Sequence, residues 1–239
     1  MALKHWYTTT NVRAGRLAGA KTRVTIFGDS LAQAIFGTPA NHDSLFGDLI
    51  INNLGYDSVF VGFVATGLLD FNSDTSGTFA GPLHRWCKIV DSHVKTYDPD
   101  VLIICYRGNY RIFDPGQPNI NPNTTQFYTA WQNEAIHFNT LAQQNGAQTF
   151  WLIGPSMLDP TEDAMTRGVS SGYIQMVESM ENTGTVNAYR WLPDPWALYN
   201  CEGIKVRNID GIHFSAGGAN LMASVCLDRV VPSWKILVP

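Results

Sequence analysis

Short runs of β-branched and aromatic residues alternate along this chain with longer stretches of helical spacing, and that alternation most constrains its fold. The short runs are Arg23–Phe27, Ser58–Val64, Val101–Tyr106, Gln148–Ile153 and Thr185–Tyr189. The first four are strongly apolar, as a strand must be when both of its faces are covered; the fifth is weaker. The longer stretches are Asp43–Asn53 (with Leu45, Phe46, Leu49 and Ile50), Leu83–Thr96 (Trp86, Val90, Val94), Gln126–Asn145 (Trp131, Ile136, Phe138, Leu141), Gly168–Asn182 and Ser215–Val230. Gly146 suits the left-handed stop of the third helix, and Pro99 separates the second helix from its strand. A strand-helix alternation predicts a parallel sheet with helices on both faces. In such open sheets the working residues sit just beyond the carboxyl ends of the strands.

Composition removes several alternatives. The 239 residues are enough for one sizeable core, predicted over 22–239, with 1–21 as an N-terminal extension. Charged residues make up 15% and hydrophobic residues 45%, which excludes a disordered chain. With 16 Lys and Arg against 20 Asp and Glu, the net charge is −4, and no basic surface suited to nucleic acid is expected. No run of about 18 apolar residues exists, so no transmembrane helix is expected. Residues 1–21 lack the roughly 7–15-residue apolar stretch of an export signal, which predicts a cytoplasmic protein or one exported from a longer precursor. The four cysteines (Cys87, Cys105, Cys201, Cys226) form no C-x-x-C pair. Cys105, inside an apolar run, reads as a core residue; a bridge among the other three is left open. Repeats and low-complexity stretches are absent. The longest loops, Asp70–Pro82 and Phe113–Thr125, are rich in Asn, Gly, Pro, Ser and Thr, and loops of that length are often functional.

The residues after each strand carry the chemistry. Gly28-Asp29-Ser30-Leu31 follows the first strand. A serine at a strand-to-helix turn presents its hydroxyl above the sheet edge, although Asp29 or Ser30 could equally cap the next helix. Gly67 after the second strand offers a backbone N–H, or ordinary turn chemistry. Asn109 after the third strand offers a neutral amide donor suited to an oxyanion, or an Asx turn. Near the C-terminus, Asp210-Gly211-Ile212-His213 places a carboxylate three residues before a histidine, a spacing that orients the ring and stabilises its protonated form. The other histidines (His5, His42, His84, His93, His137) show no ligand spacing, so no metal site is expected.

Taken together, these residues resemble the SGNH (GDSL-type) hydrolases: Gly-Asp-Ser-Leu near the start, a glycine after strand two, an asparagine after strand three, and D-x-x-H near the end. The resemblance spans about residues 22–230, and Val206–His213 followed by Gly217 is similar to the final block of a bacterial branch of the family linked in part to cell-envelope acyl groups. It implies a flavodoxin-like α/β/α sandwich with a five-stranded parallel sheet. It also implies Ser30 as nucleophile, His213 as the base, Asp210 as its orienting carboxylate, and an oxyanion hole from the Ser30 N–H, the Gly67 N–H and the Asn109 amide. No cofactor or metal is implied.

The chain departs from the family pattern in its third block, where Arg107-Gly108-Asn109-Tyr110 stands in place of G-x-N-D. Arg107 has two readings: a structural ion pair, or a contact to an anionic group of the substrate. Gly55 and Gly62 rival Gly67 for its role. Leu31, Leu68, Tyr110, Met157 and Phe214 are expected near the acyl site. Trp191 and Trp196 either stack on a sugar or anchor a loop. The substrate reading is a short-acyl ester of the O-acetyl type on a carbohydrate. The rivals are an acyltransferase, a longer-chain lipase or thioesterase, and a non-catalytic domain. A nucleotide-binding domain is disfavoured because no glycine-rich phosphate fingerprint follows the first strand.

Overall fold

The computed structural model describes residues 22–37, 56–62, 66–72, 84–108 and 120–230. In chain order its elements are β1 (Arg23–Gly28), α1 (Ser30–Phe36), β2 (Asp57–Gly62), β3 (Phe71–Asn72), β4 (His84–Arg85), α2 (Trp86–Tyr97), β5 (Val101–Cys105), α3 (Thr125–Ala142), β6 (Gln148–Ile153), α4 (Pro160–Ser179), β7 (Thr183–Asn187) and α5 (Ala216–Val230). Five strands form one sheet in the order β2-β1-β5-β6-β7, every pair parallel. That is the flavodoxin-like arrangement implied by the resemblance to the SGNH hydrolases. The order reverses at β1, between β2 and β5, so the crevice expected to hold a ligand opens at the carboxyl ends of β1 and β5.

The two faces of the sheet build two cores. Val24 and Ile26 of β1 and Val101, Ile103 and Cys105 of β5 pack with α1 and α5. The alternating residues Phe27, Leu102 and Ile104 pack with α2, α3 and α4. Period-two alternation on a doubly covered strand is what makes these runs continuously apolar. None of the four cysteines is in a disulfide, with Cys105 buried as expected and only Cys201 exposed.

The expected strands agree with the observed ones to within two residues wherever they are described; residues 63–65 lie outside. Helix boundaries differ more. α4 begins at Pro160, not Gly168, because Asp159 caps it: its Oδ1 accepts from the Thr161 and Glu162 N–H groups at 2.9 and 3.0 Å, with Pro160 in the first turn. α3 ends at Ala142, short of the expected Asn145, and Gly146 takes the left-handed φ of +81° beyond it. The two-residue β3–β4 pairing and α1 had no counterpart in the strand and helix reading. The extension 1–21 and the expected helix Asp43–Asn53 lie outside the described residues.

Gly28 is fixed by crowding. A Cβ there would strike the carbonyl oxygen of Cys105 and come within 2.5 Å of the Ala32 Cβ. The first contact is backbone in the sheet and the second is the underside of α1, so neither yields cheaply. Gly28→Ala is therefore expected to lower stability by about 1–3 kcal/mol in urea unfolding, as overpacked core positions do.

Candidate active site

The turn between β1 and α1 is held by Asp29. Its N–H donates to the Cys105 carbonyl at 3.1 Å, its Oδ1 accepts from the Leu31 N–H at 2.9 Å, and its Oδ2 accepts from the Arg107 N–H at 3.2 Å. The carboxylate is fully buried, which pushes its pKa up, while Arg107 and the surrounding backbone N–H groups pull it down. Asp29 is thus the helix cap, and Ser30 is the first residue of α1. In that position the Ser30 N–H has no acceptor within the helix.

Ser30, His213 and Asp210 come together although Ser30 lies 183 positions from His213 in sequence. Ser30 Oγ lies 2.8 Å from His213 Nε2, and His213 Nδ1 lies 2.8 Å from Asp210 Oδ2. Partial burial raises the Asp210 pKa, but the N–H groups of His213 and Ile212 and the His213 ring outweigh it and draw it to about 2. Asp210 is therefore ionised at neutral pH and can only accept. Nδ1 then carries the ring proton, and Nε2 accepts from the Ser30 hydroxyl. The loop is set locally: Asp210 Oδ1 accepts from the Ile212 and His213 N–H groups, each at 2.9 Å, and Gly211 takes φ +77°.

Gly67 differs from its expected role as an oxyanion donor. Its N–H donates to the buried Asp70 carboxylate at 2.8 Å, and the Thr66 hydroxyl, 3.3 Å from the same oxygen, accepts from Trp86 Nε1 at 3.1 Å. A backbone donor committed to a carboxylate is not on offer to an oxyanion. Asn109 and Tyr110 lie outside the described residues.

Arg107 adopts the structural reading. Its guanidinium pairs with Glu162 on α4, and the side chain is buried. Glu162 was not legible, because 55 residues separate the partners. Leu31, Leu68, Met157 and Phe214 do not line an open site; each is 4% exposed or less and lies within the two cores. Their apolar character marked core direction, which position after a strand does not distinguish from a pocket wall. Trp191 packs against the α1–α5 core, as a loop anchor does.

Two histidines bear on the metal expectation. His93 is a packing residue: burial lowers its pKa to about 4, and Nε2 lies 2.9 Å from Thr25 Oγ1. His137, with Glu134 on α3 and Cys87 on α2, brings three ligand atoms within 4.8 Å of one another. This cluster is in the helical layer opposite α1, and its spacing exists only across two helices. The Cys87 thiol donates there to the Glu134 carbonyl at 3.8 Å.

A family model described as "Protein of unknown function (DUF459)" matches residues 23–229. The chain belongs to this family. Its fold is that of the SGNH hydrolases. Among solved structures, it is similar to a Slackia heliotrinireducens protein named as an SGNH hydrolase, at 14% identity and TM-score 0.57, covering 88% of this chain and 100% of that one. It is similar to Est24, a carbohydrate acetylesterase from Sinorhizobium meliloti, at 16% identity and TM-score 0.54, covering 89% and 99%. It is also similar to a lipase/acylhydrolase from Enterococcus faecalis, at 15% identity and TM-score 0.55, covering 91% and 100%. Comparison with curated proteins finds no match.

The lowered Asp210 pKa fixes the sign of a pH effect. A carboxylate whose pKa falls on folding contributes stability above its unfolded value and loses it as pH drops through the folded one. The Tm difference between wild type and Asp210→Asn should shrink as pH falls from about 4 towards about 2. Differential scanning fluorimetry across that range measures it; a difference independent of pH would contradict the assignment.

Proposed function

We propose that this protein is a serine ester hydrolase that cleaves a short-acyl carboxylic ester, of the O-acetyl type on a carbohydrate, through an acyl-enzyme on Ser30. The observation that carries this reading is the continuous chain from Ser30 Oγ through His213 to Asp210, with both contacts at 2.8 Å. Similarity in fold to carbohydrate acetylesterases supports the substrate class. The burial of Leu31 and Phe214 supports a short acyl group, because the apolar residues nearest Ser30 and His213 in sequence are already spent in the core.

The chemistry follows from the geometry. His213 Nε2 takes the Ser30 proton as Oγ bonds to the ester carbonyl carbon. The new imidazolium stays beside the Asp210 carboxylate. The Ser30 N–H, which has no intrahelical acceptor, would meet the oxyanion, and the resemblance to the SGNH hydrolases assigns the Asn109 amide as a second donor. When the tetrahedral centre collapses, the carbon–oxygen bond to the alcohol breaks and His213 returns its proton to the departing oxygen. Water then repeats the sequence: His213 takes its proton, the acyl–Oγ bond breaks, and the proton returns to Ser30. Water attack needs access, and Asp210 and His213 are both partly open to solvent. Arg107, committed to Glu162, takes no part in binding a substrate anion.

A second reading, a longer acyl chain, is favoured by two exposed apolar side chains beside the catalytic loop. Ile209 precedes Asp210 and is 81% exposed, and Leu158 is 54% exposed with its N–H donating to the Gly211 carbonyl at 3.1 Å.

Fluorophosphonate labelling should mark Ser30 in wild type and nothing in Ser30→Ala, whose esterase turnover should fall by roughly 10⁴-fold or more. Full activity in Ser30→Ala refutes the nucleophile. Nitrophenyl acetate should be turned over faster than decanoate; the reverse order selects the long-chain reading. Arg107→Ala should lower kcat/KM equally for neutral and anionic esters, and a loss confined to anionic esters would restore a substrate role for Arg107.

A further inference from the structure

Arg207 is among the largest fully buried side chains of the described protein, at 1% exposure. Removing a guanidinium from water costs several kcal/mol unless its surroundings compensate. No carboxylate among the described residues is in ion-pair contact with it. Its compensation comes from backbone. Nη1 donates to the Ser156 carbonyl at 2.9 Å, and Nη2 donates to the Ile212 carbonyl at 2.7 Å and lies 3.5 Å from Met157 Sδ. The guanidinium carbon sits 5.5 Å from the centroid of the Phe214 ring. Burial lowers the Arg207 pKa to about 10 while the Asp210 carboxylate opposes that shift, so the group is a cation at neutral pH.

The Ile212 carbonyl belongs to the peptide that links Ile212 to His213. The N–H on the other edge of that peptide is the His213 N–H, which donates to Asp210 Oδ1 at 2.9 Å. The peptide carrying the catalytic ring is therefore gripped on both edges, by the Asp210 carboxylate on one and by the Arg207 guanidinium on the other. The next peptide is fixed as well, since the His213 carbonyl accepts from the Asn208 N–H at 2.9 Å. Through Ser156 the same guanidinium ties this loop to the segment that leaves β6.

We infer that Arg207 is a positioning residue that fixes the Ile212–His213 peptide, and with it the His213 ring, between Ser30 and Asp210. The inference rests on the hydrolase reading for its kinetic consequence but not for its structural one. Displacing a catalytic group by about 1 Å costs on the order of 10²-fold in rate. Lysine keeps the charge but has one nitrogen where two are needed to span Ser156 and Ile212.

The test compares wild type, Arg207→Met and Arg207→Lys. The readouts are Tm, active sites titrated with fluorophosphonate, kcat and KM on nitrophenyl acetate, and the downfield proton resonance of His213 Nδ1–H, assigned by its loss in His213→Gln. Per titrated site, Arg207→Met should lose about 10²-fold in kcat with KM within about 3-fold of wild type. Its Nδ1–H resonance should shift or vanish, and Arg207→Lys should fall between the two in both readouts. Should Arg207→Met fail to fold, Arg207→Lys decides by the same measures. A folded variant with wild-type kcat per site, or a fall in Tm with the His213 resonance unmoved, overturns the inference. Wild type without ester hydrolysis but with a resonance that moves in the variants would refute the hydrolase reading and leave the positioning role standing.

Discussion

One buried carboxylate organises this molecule. Asp29 sits at the point where β1 ends and α1 begins, and it accepts N–H groups from both its own turn and the first residues beyond β5. A desolvated carboxylate is costly, and burial raises the Asp29 pKa even though the Arg107 cation and several backbone N–H groups converge on it and offset part of that cost. Losing any of these leaves charge in a low-dielectric interior. The arrangement is therefore rigid, and Ser30, the next residue, inherits that rigidity. Gly28 is the condition for it, since the turn can close on the Cys105 carbonyl only without a Cβ. Glycine for approach, aspartate for the tie and serine for the hydroxyl make three consecutive residues one device.

His213 and Asp210 keep about two fifths of their side-chain surface open, which suits the proposed role of the His213 ring in passing protons to and from substrate and water. The groups that hold the site, Asp29, Arg107 and Arg207, are all buried. Hydrogen bonds to charged groups are strongest away from water, so positioning belongs inside and proton transfer at the rim. The open side of the loop gains order from its own carboxylate, whose Oδ1 takes two backbone N–H groups while Oδ2 takes the ring.

The sequence made legible whatever has a period or a short spacing. Strongly apolar runs located four of the five sheet strands and a weaker β-branched run the fifth, and D-x-x-H located the loop in which Asp210 meets His213 after a single turn. What has neither property stayed hidden. Arg107 and Glu162 pair across 55 positions, and no local pattern selects Glu162 from the other acids. Arg207 contacts carbonyls, which every residue possesses, so its partners leave no mark in composition. Leu31 and Phe214 stood where a site wall or a core residue would both be apolar, and only the packed fold separates the two. The start of α4 was legible in principle, because Asp159-Pro160 carries the cap and the first-turn proline; the later apolar spacing concealed it.

The low charge count acquires a meaning from the two arginines. In a chain this poor in charge, a buried cation has few acids to meet. Arg107 meets one, Glu162, and lends its field to Asp29. Arg207 meets none directly, and its charge is balanced by carbonyl dipoles and by the nearby Asp210 carboxylate. Asp210 therefore faces the Arg207 cation as well as the His213 ring to which it is hydrogen-bonded. Against its partial burial, the Ile212 and His213 N–H groups and the His213 ring hold the Asp210 carboxylate well below its usual range. Under the proposed mechanism, a carboxylate held this far down leaves the proton taken from Ser30 on the His213 ring, from which it can pass to the departing alcohol.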